Sequence, residues 1–138
     1  VDPRDLKIVM ELVKNGRIKK TELAKMLKIT ETAVRKRIEK LEKNKVILGY
    51  RAVVDFKKLG IFSSLTGIDV EPEHIWKVVE SLKQMENVNS VYLTSGDHVL
   101  IVEVVTDSLD TMRRLHEEIS GIQGVKRVCP AVIMEVLK

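Results

Sequence analysis

The hydrophobic period of this chain changes once, after Asn44, and that change narrows the folds open to it. Up to Asn44 apolar residues recur at helical spacing; beyond it, β-branched runs alternate with helical stripes. A first helix is expected after Asp2-Pro3, with Asp2 as N-cap and Pro3 in the first turn, where its missing N–H costs nothing. Leu6, Ile8, Val9, Leu12 and Val13 form its stripe, and Asn15-Gly16 stops it. A second segment, Thr21 to Leu27, starts at a threonine cap and puts Leu23, Ala24 and Leu27 on one side. Lys28-Ile29 turns the chain, and Thr30 caps a third helix running to about Asn44.

At about 100° per residue, Val34, Ile38 and Leu41 of the third helix fall in one narrow sector. Thr32, Lys36, Glu39 and Lys43 lie opposite, with Ala33 and Arg35 on the flanks. A small residue lets a helix approach base edges, while Arg and Lys reach guanine or phosphate. Two short helices joined by a tight turn, the second basic on its outer face, describe a helix-turn-helix. Ala24 and Val34 stand where the two helices pack, and Lys28 stands in a turn where many such motifs carry Gly. The bland alternative is a helical hairpin with no ligand, and charge weighs against it. Residues 1–55 hold 15 Lys and Arg against 8 Asp and Glu, whereas residues 56–138 hold 9 against 12. Thr30, Thr32, Ala33, Arg35, Lys36, Arg37 and Lys40 are therefore the DNA-contact candidates, with Arg37 nearer the groove edge, towards phosphate.

Residues 46–54 read as a turn leading into a strand, broken at Lys57-Lys58-Leu59-Gly60. The remainder reads strand 62–70, helix from Glu71-Pro72 to about Met85, strand 88–94, a turn at Ser95-Gly96-Asp97 and strand 99–105. Asp107 or Ser108 then caps a helix carrying Leu109, Met112, Leu115 and Ile119 inward as far as Gly121, and Val125 to Val136 closes as a strand. The order βαββαβ predicts a ferredoxin-like sheet with both helices on one face. The fold class is α+β: a winged-helix-like helix-turn-helix domain over 1–48, a linker strand and hinge over 49–60, and a ferredoxin-like domain over 61–138. Ser64, Thr66, Tyr92, Leu100, Val102 and Val132 are not phased by pattern alone. An open sheet face this apolar calls for a second copy, so a homodimer is expected.

The stretches VDPRDLKIVMELVKNGRI, TELAKMLKITETAVRKRIEKLEKNKVILGYRAVVD, SGDHVLIVEV and GVKRV together resemble the Lrp/AsnC (feast/famine) transcriptional regulators over nearly the whole chain. Lys45 departs from that pattern, replacing the usual Gly before Val46-Ile47. The resemblance implies a DNA-binding first domain on double-stranded DNA, and a second domain for effector binding and assembly. It also implies dimers that assemble further, often to octamers, around amino-acid sites between dimers. The family's effector loop reads Gly-Asp-aromatic-Asp; here it reads Gly96-Asp97-His98-Val99, without the second Asp. Gly96 brings backbone N–H groups near a carboxylate, Asp97 pairs with an ammonium or positions the loop, and Tyr92, Thr94 and Ser95 add hydroxyls. A neutral amino acid fits this loop better than a cationic one, and a plain hairpin turn is the alternative.

Other chemistry finds little in the pattern. The single Cys129 excludes an internal disulfide, so a reducing cytoplasm is the expected setting, and no apolar run approaches a membrane span. No leader pattern opens the chain, so secretion is not expected. His74, His98 and His116 have no metal-ligand spacing, and no nucleotide loop or catalytic constellation occurs, so neither cofactor nor enzymatic activity is expected. A sirohaem-decarboxylase-like enzyme on the same fold and a metal-responsive regulator are the alternatives.

Overall fold

The computed structural model describes Val1 to Lys138, which separate into two compact units, Val1–Val53 and Val54–Lys138. In the first, α1 (Pro3–Lys14) starts as its sequence dictates: the Asp2 side chain accepts from the Arg4 N–H at 2.8 Å. α2 spans Lys20–Leu27 and α3 spans Glu31–Lys43. Thr30 Oγ1 accepts from Ala33 N at 3.0 Å and so caps α3. Thr21, expected as a cap, lies inside α2, whose N-cap is Lys19 with no side-chain bond. The Lys19 carbonyl already accepts from Glu22 and Leu23, which moves the start one turn position earlier.

Ile8, Leu23, Ala24, Val34, Ile38 and Leu41 form the core of this unit. Ile8, Leu23 and Val34 are fully buried, each worth roughly 1.5–3 kcal/mol against exposure. The stripe expected on α1 is narrower than its sequence implied, because Leu6 and Val13 are exposed and only Ile8 is wholly inside. The apolar run 46–54 forms no strand: Val46, Leu48 and Val53 are exposed, and no strand of this chain pairs with it. The segment stays irregular in the single chain, since a strand without a partner leaves its backbone groups unmade.

The second unit opens with a 3₁₀ turn at Phe56–Leu59, closed by Gly60 at φ 71°. Then follow β1 (Phe62–Val70), a 3₁₀ turn at Pro72–His74, α4 (Ile75–Gln84), β2 (Val88–Leu93), β3 (Leu100–Thr106), α5 (Leu109–Ser120) and β4 (Val125–Val132). The strands are antiparallel in the order β2-β3-β1-β4, the ferredoxin-like arrangement. β4 ends at Val132 rather than Val136. Pro130 is tolerated because β4 is an edge strand.

Strand register settles the facing of the sheet. Ile68, Val70, Leu100, Val102 and Val104 join Val78, Leu82, Met112, Leu115 and Ile119 in one core, so they face the helices. Thr66 pairs with Val102 and Ser64 with both Val104 and Val132, placing these on the same face. Ser64 and Thr66 are fully buried yet satisfied: their hydroxyls lie 2.8 Å apart, and Thr66 Oγ1 lies 2.7 Å from His116 Nε2 of α5. Leu109, expected inward, is half exposed at the start of α5. The other face carries Leu65, Gly67, Tyr92, Ile101, Glu103 and Val105, with Leu65 and Tyr92 exposed.

Candidate nucleic-acid interface and ligand cleft

α2 and α3 both end in a Schellman closure, and in both the left-handed residue is a lysine. Lys28 stands at φ 56°, with Ile29 N donating to Ala24 O at 3.1 Å and Lys28 N to Lys25 O at 3.4 Å. Lys45 stands at φ 58°, with Val46 N donating to Leu41 O at 2.9 Å and Lys45 N to Glu42 O at 3.1 Å. These are the two positions where the sequence departs from the expected glycine. The first closure sets the turn between α2 and α3, with Ile29 packed against the core.

α3 buries Val34, Ile38 and Leu41 and exposes Thr32, Arg35, Lys36 and Lys40. Thr30 is exposed, but its hydroxyl oxygen is used as the cap; Ala33 is half-buried. Arg35 is held by Glu31 one turn back, N–O 3.2 Å, with both side chains about half exposed. Such a pair is weak in water and gives way readily to a phosphate or a base edge. Arg37 sits differently from its sequence expectation. Its guanidinium reaches Asp2 at 3.1 Å and Asp5 at 3.0 Å, so it fastens α3 to the start of α1 instead of facing the groove edge. The Arg4 N–H first, and Arg37 second, hold the Asp2 carboxyl below its ordinary pKa. On the flank beside Arg35, a groove of about 680 Å³ is lined by Ile18, Lys19, Lys20, Thr21, Glu39 and Tyr50 among others. Burial, then the Glu42 carboxylate, raises the Tyr50 phenol.

In the second unit the β2–β3 loop borders a cleft of about 540 Å³ lined by Asp69, Val70, Thr94, Ser95, Gly96, Asp97, Val99, Lys126 and Arg127. The loop is closed by Thr94 N donating to Val99 O at 2.8 Å and by the Thr94 hydroxyl donating to the His98 carbonyl. Four of the five expected effector residues, Thr94 to Asp97, therefore border one cleft. Tyr92 does not: paired with Ile101, it stands on the open sheet face. Asp69, Lys126 and Arg127 were not singled out from sequence, although the GVKRV stretch contained the two cations. They supply both signs of charge to the cleft wall.

Beside the cleft, His98 Nδ1 lies 2.9 Å from Asp69 Oδ1, and Arg127 Nε lies 2.9 Å from Cys129 Sγ and 3.7 Å from Asp69 Oδ2. The histidines have no ligand spacing along the chain, yet the sheet brings His98 to Asp69 and Cys129, whose donor atoms all lie within 4.8 Å of one another. His116 is placed elsewhere, on the helix-covered face, where burial lowers its pKa. No helix is long and apolar enough to cross a membrane.

The comparisons with known proteins agree with both halves. Residues 1–47 match the winged helix-turn-helix DNA-binding family, and residues 63–138 match the Lrp/AsnC ligand binding domain. The HTH-type transcriptional regulator LrpA of Pyrococcus abyssi is 44% identical, covering 100% of this chain and 99% of its own. Among solved structures, PH0061 superposes with a TM-score of 0.85 at 28% identity, covering 100% of this chain and 95% of its own. The leucine response regulatory protein (LrpA) of Mycobacterium tuberculosis gives 0.80 at 26%, again over 100% of this chain and 95% of its own. The Pyrococcus abyssi relative is named as a transcriptional regulator and the mycobacterial one as a regulatory protein. With a DNA-binding helix-turn-helix unit and this ligand-binding unit joined in one chain, the protein belongs to the Lrp/AsnC family of transcriptional regulators.

Proposed function

We propose that this regulator reads double-stranded DNA with the N-terminal half of α3 and changes that binding when a neutral amino acid occupies the cleft beside the β2–β3 loop. Thr32, Arg35 and Lys36 face the major groove, Ala33 lets the helix approach, and Lys40 contacts phosphate. Arg37 is the exception, because its guanidinium is engaged by Asp2 and Asp5.

The observation that carries the effector reading is the charge arrangement of the cleft. Lys126 and Arg127 suit a carboxylate, and Asp97 suits an α-ammonium. The loop offers no second anion at Val99 for a cationic side chain, while Asp69 is already engaged by His98 and Arg127. The name of the mycobacterial relative, a leucine response protein, points the same way. A ligand shifts an equilibrium only by its differential affinity for two states. The states proposed are assemblies: the chain pairs through its open sheet face, where Leu65, Ile101 and Val105 would otherwise meet water, and dimers associate further around the ligand. A two-fold pair also presents two α3 helices to two half-sites in the cytoplasm.

A thermal-shift panel of the twenty amino acids, followed by calorimetry and light scattering on each hit, tests this. Binding of a neutral amino acid with a change in oligomer distribution is expected. Binding of lysine or arginine alone, or of none, overturns the effector reading.

A further inference from the structure

We propose that Asp69, His98 and Cys129 form a binding site for a borderline divalent transition metal of the zinc or cobalt class. The site adjoins the proposed effector cleft, sharing Asp69 and Arg127 with its wall, but its ligand set does not rest on an amino acid being bound. The three donors come from β1, the β2–β3 loop and β4, and sheet register explains their meeting. Gly67 pairs with Cys129 and Asp69 with Arg127 across β1 and β4, so Asp69 and Cys129 are diagonal neighbours on one sheet face. His98 reaches them only because position 67 is glycine. A Cβ there would overlap the imidazole ring, so the ring lies directly over the β1 backbone.

All three side chains are half-buried, and one donor atom from each lies within 4.8 Å of the others. A tetrahedral site with bond lengths of about 2.0–2.3 Å needs donor separations of roughly 3.3–3.8 Å. His98 Nδ1 and Asp69 Oδ1 are already at 2.9 Å, so only modest side-chain rotation is required. A thiolate, an imidazole and a carboxylate, with water in the fourth position, favour zinc-like ions over magnesium or calcium, which prefer oxygen donors.

Arg127 supplies the second observation. Its Nε lies 2.9 Å from Cys129 Sγ and 3.7 Å from Asp69 Oδ2, so a cation already stands against two of the three donor residues. That side chain is largely exposed and free to swing outward. A metal dication and the Arg127 guanidinium therefore compete for the same two donors.

The test uses the full-length protein, stripped with chelator and titrated with Co²⁺. One equivalent per chain is expected to give a thiolate-to-cobalt charge-transfer band and the strong visible bands of tetrahedral cobalt, both removed by added Zn²⁺. Cys129→Ser should abolish the charge-transfer band, and His98→Ala should weaken binding roughly tenfold or more. Arg127→Ala should tighten binding several-fold, a gain that misfolding cannot imitate. Absence of the charge-transfer band in the wild type, or identical titrations for wild type and Cys129→Ser, overturns the site. Unchanged affinity in Arg127→Ala overturns the competition.

Discussion

The outer face of α3 and the cleft beside the β2–β3 loop differ in how they are built. The first is a single helix, whose solvent face follows once Val34, Ile38 and Leu41 are assigned to the core. The second is assembled from β1, the β2–β3 loop and β4, so Asp69 and Arg127 meet although they are far apart in the chain. Contacts local in sequence leave a periodic trace, whereas contacts made by sheet register leave none until the strands are phased.

The contrast predicts that damage to the first unit silences DNA binding and spares the cleft. Leu23→Ala removes a fully buried side chain between helices and should cost about 2–5 kcal/mol of that unit's stability. DNA binding should fall with it, while calorimetric binding of a cleft ligand persists; loss of both would show that the units do not act separately.

A smaller effect sharpens the reading of α3. Arg35→Ala or Lys36→Ala should weaken specific DNA binding by roughly 1–3 kcal/mol if the lost contact is bidentate to a base. Arg37→Ala should lower the melting temperature instead, because it releases Asp2 and Asp5 from α3. Mobility shifts and thermal melts on the three variants separate the two roles. Equal loss of DNA affinity in Arg37→Ala without a change in melting would return that residue to the phosphate.

Much of the fold was legible in the sequence. β1 spans Phe62–Val70 as its strand-like sequence implied, and Asp2, Thr30 and Ser108 cap their helices because a short polar side chain stands ahead of an apolar stripe. The failures have physical causes. Val46–Val54 has strand propensity but no strand beside it, and Leu6 and Val13 follow the helical period of α1 although its neighbours cover only part of that stripe. Helical angle alone does not reveal that Asp2 and Asp5 lie within reach of Arg37, so its ion pairs with the start of α1 leave no trace in the pattern.

Lys28 and Lys45 mark where a local rule is broken in both closures. Replacing either by Gly relieves the left-handed strain and should stabilise the first unit by about 0.5–1 kcal/mol, read from denaturant midpoints. No gain would mean that the lysine side chains make compensating contacts.

The second unit carries its own pH signature. Burial depresses His116 below its ordinary value of 6.5, so the unfolded chain takes up that proton first. The sign follows: the contribution is intact above pH 6.5 and is lost as pH falls through the interval down to the folded value. Arg113 and Glu117 line the same pocket on α5. His116→Gln should flatten the stability–pH curve in that interval, whereas an unchanged slope would assign it to other groups.

The central claim, that the DNA-reading face and the ligand cleft are separate sites coupled within one regulator, meets its most direct test in one titration. Wild type and Asp97→Ala are compared for binding to a duplex selected from a random pool, with and without an amino acid found in the thermal-shift panel. Asp97 borders the cleft in the second unit, and α3 belongs to the first. The expected result is equal DNA affinity for both proteins without ligand, and a ligand-induced shift in the wild type only. An equal ligand response in Asp97→Ala, or loss of its basal DNA binding, would contradict the account.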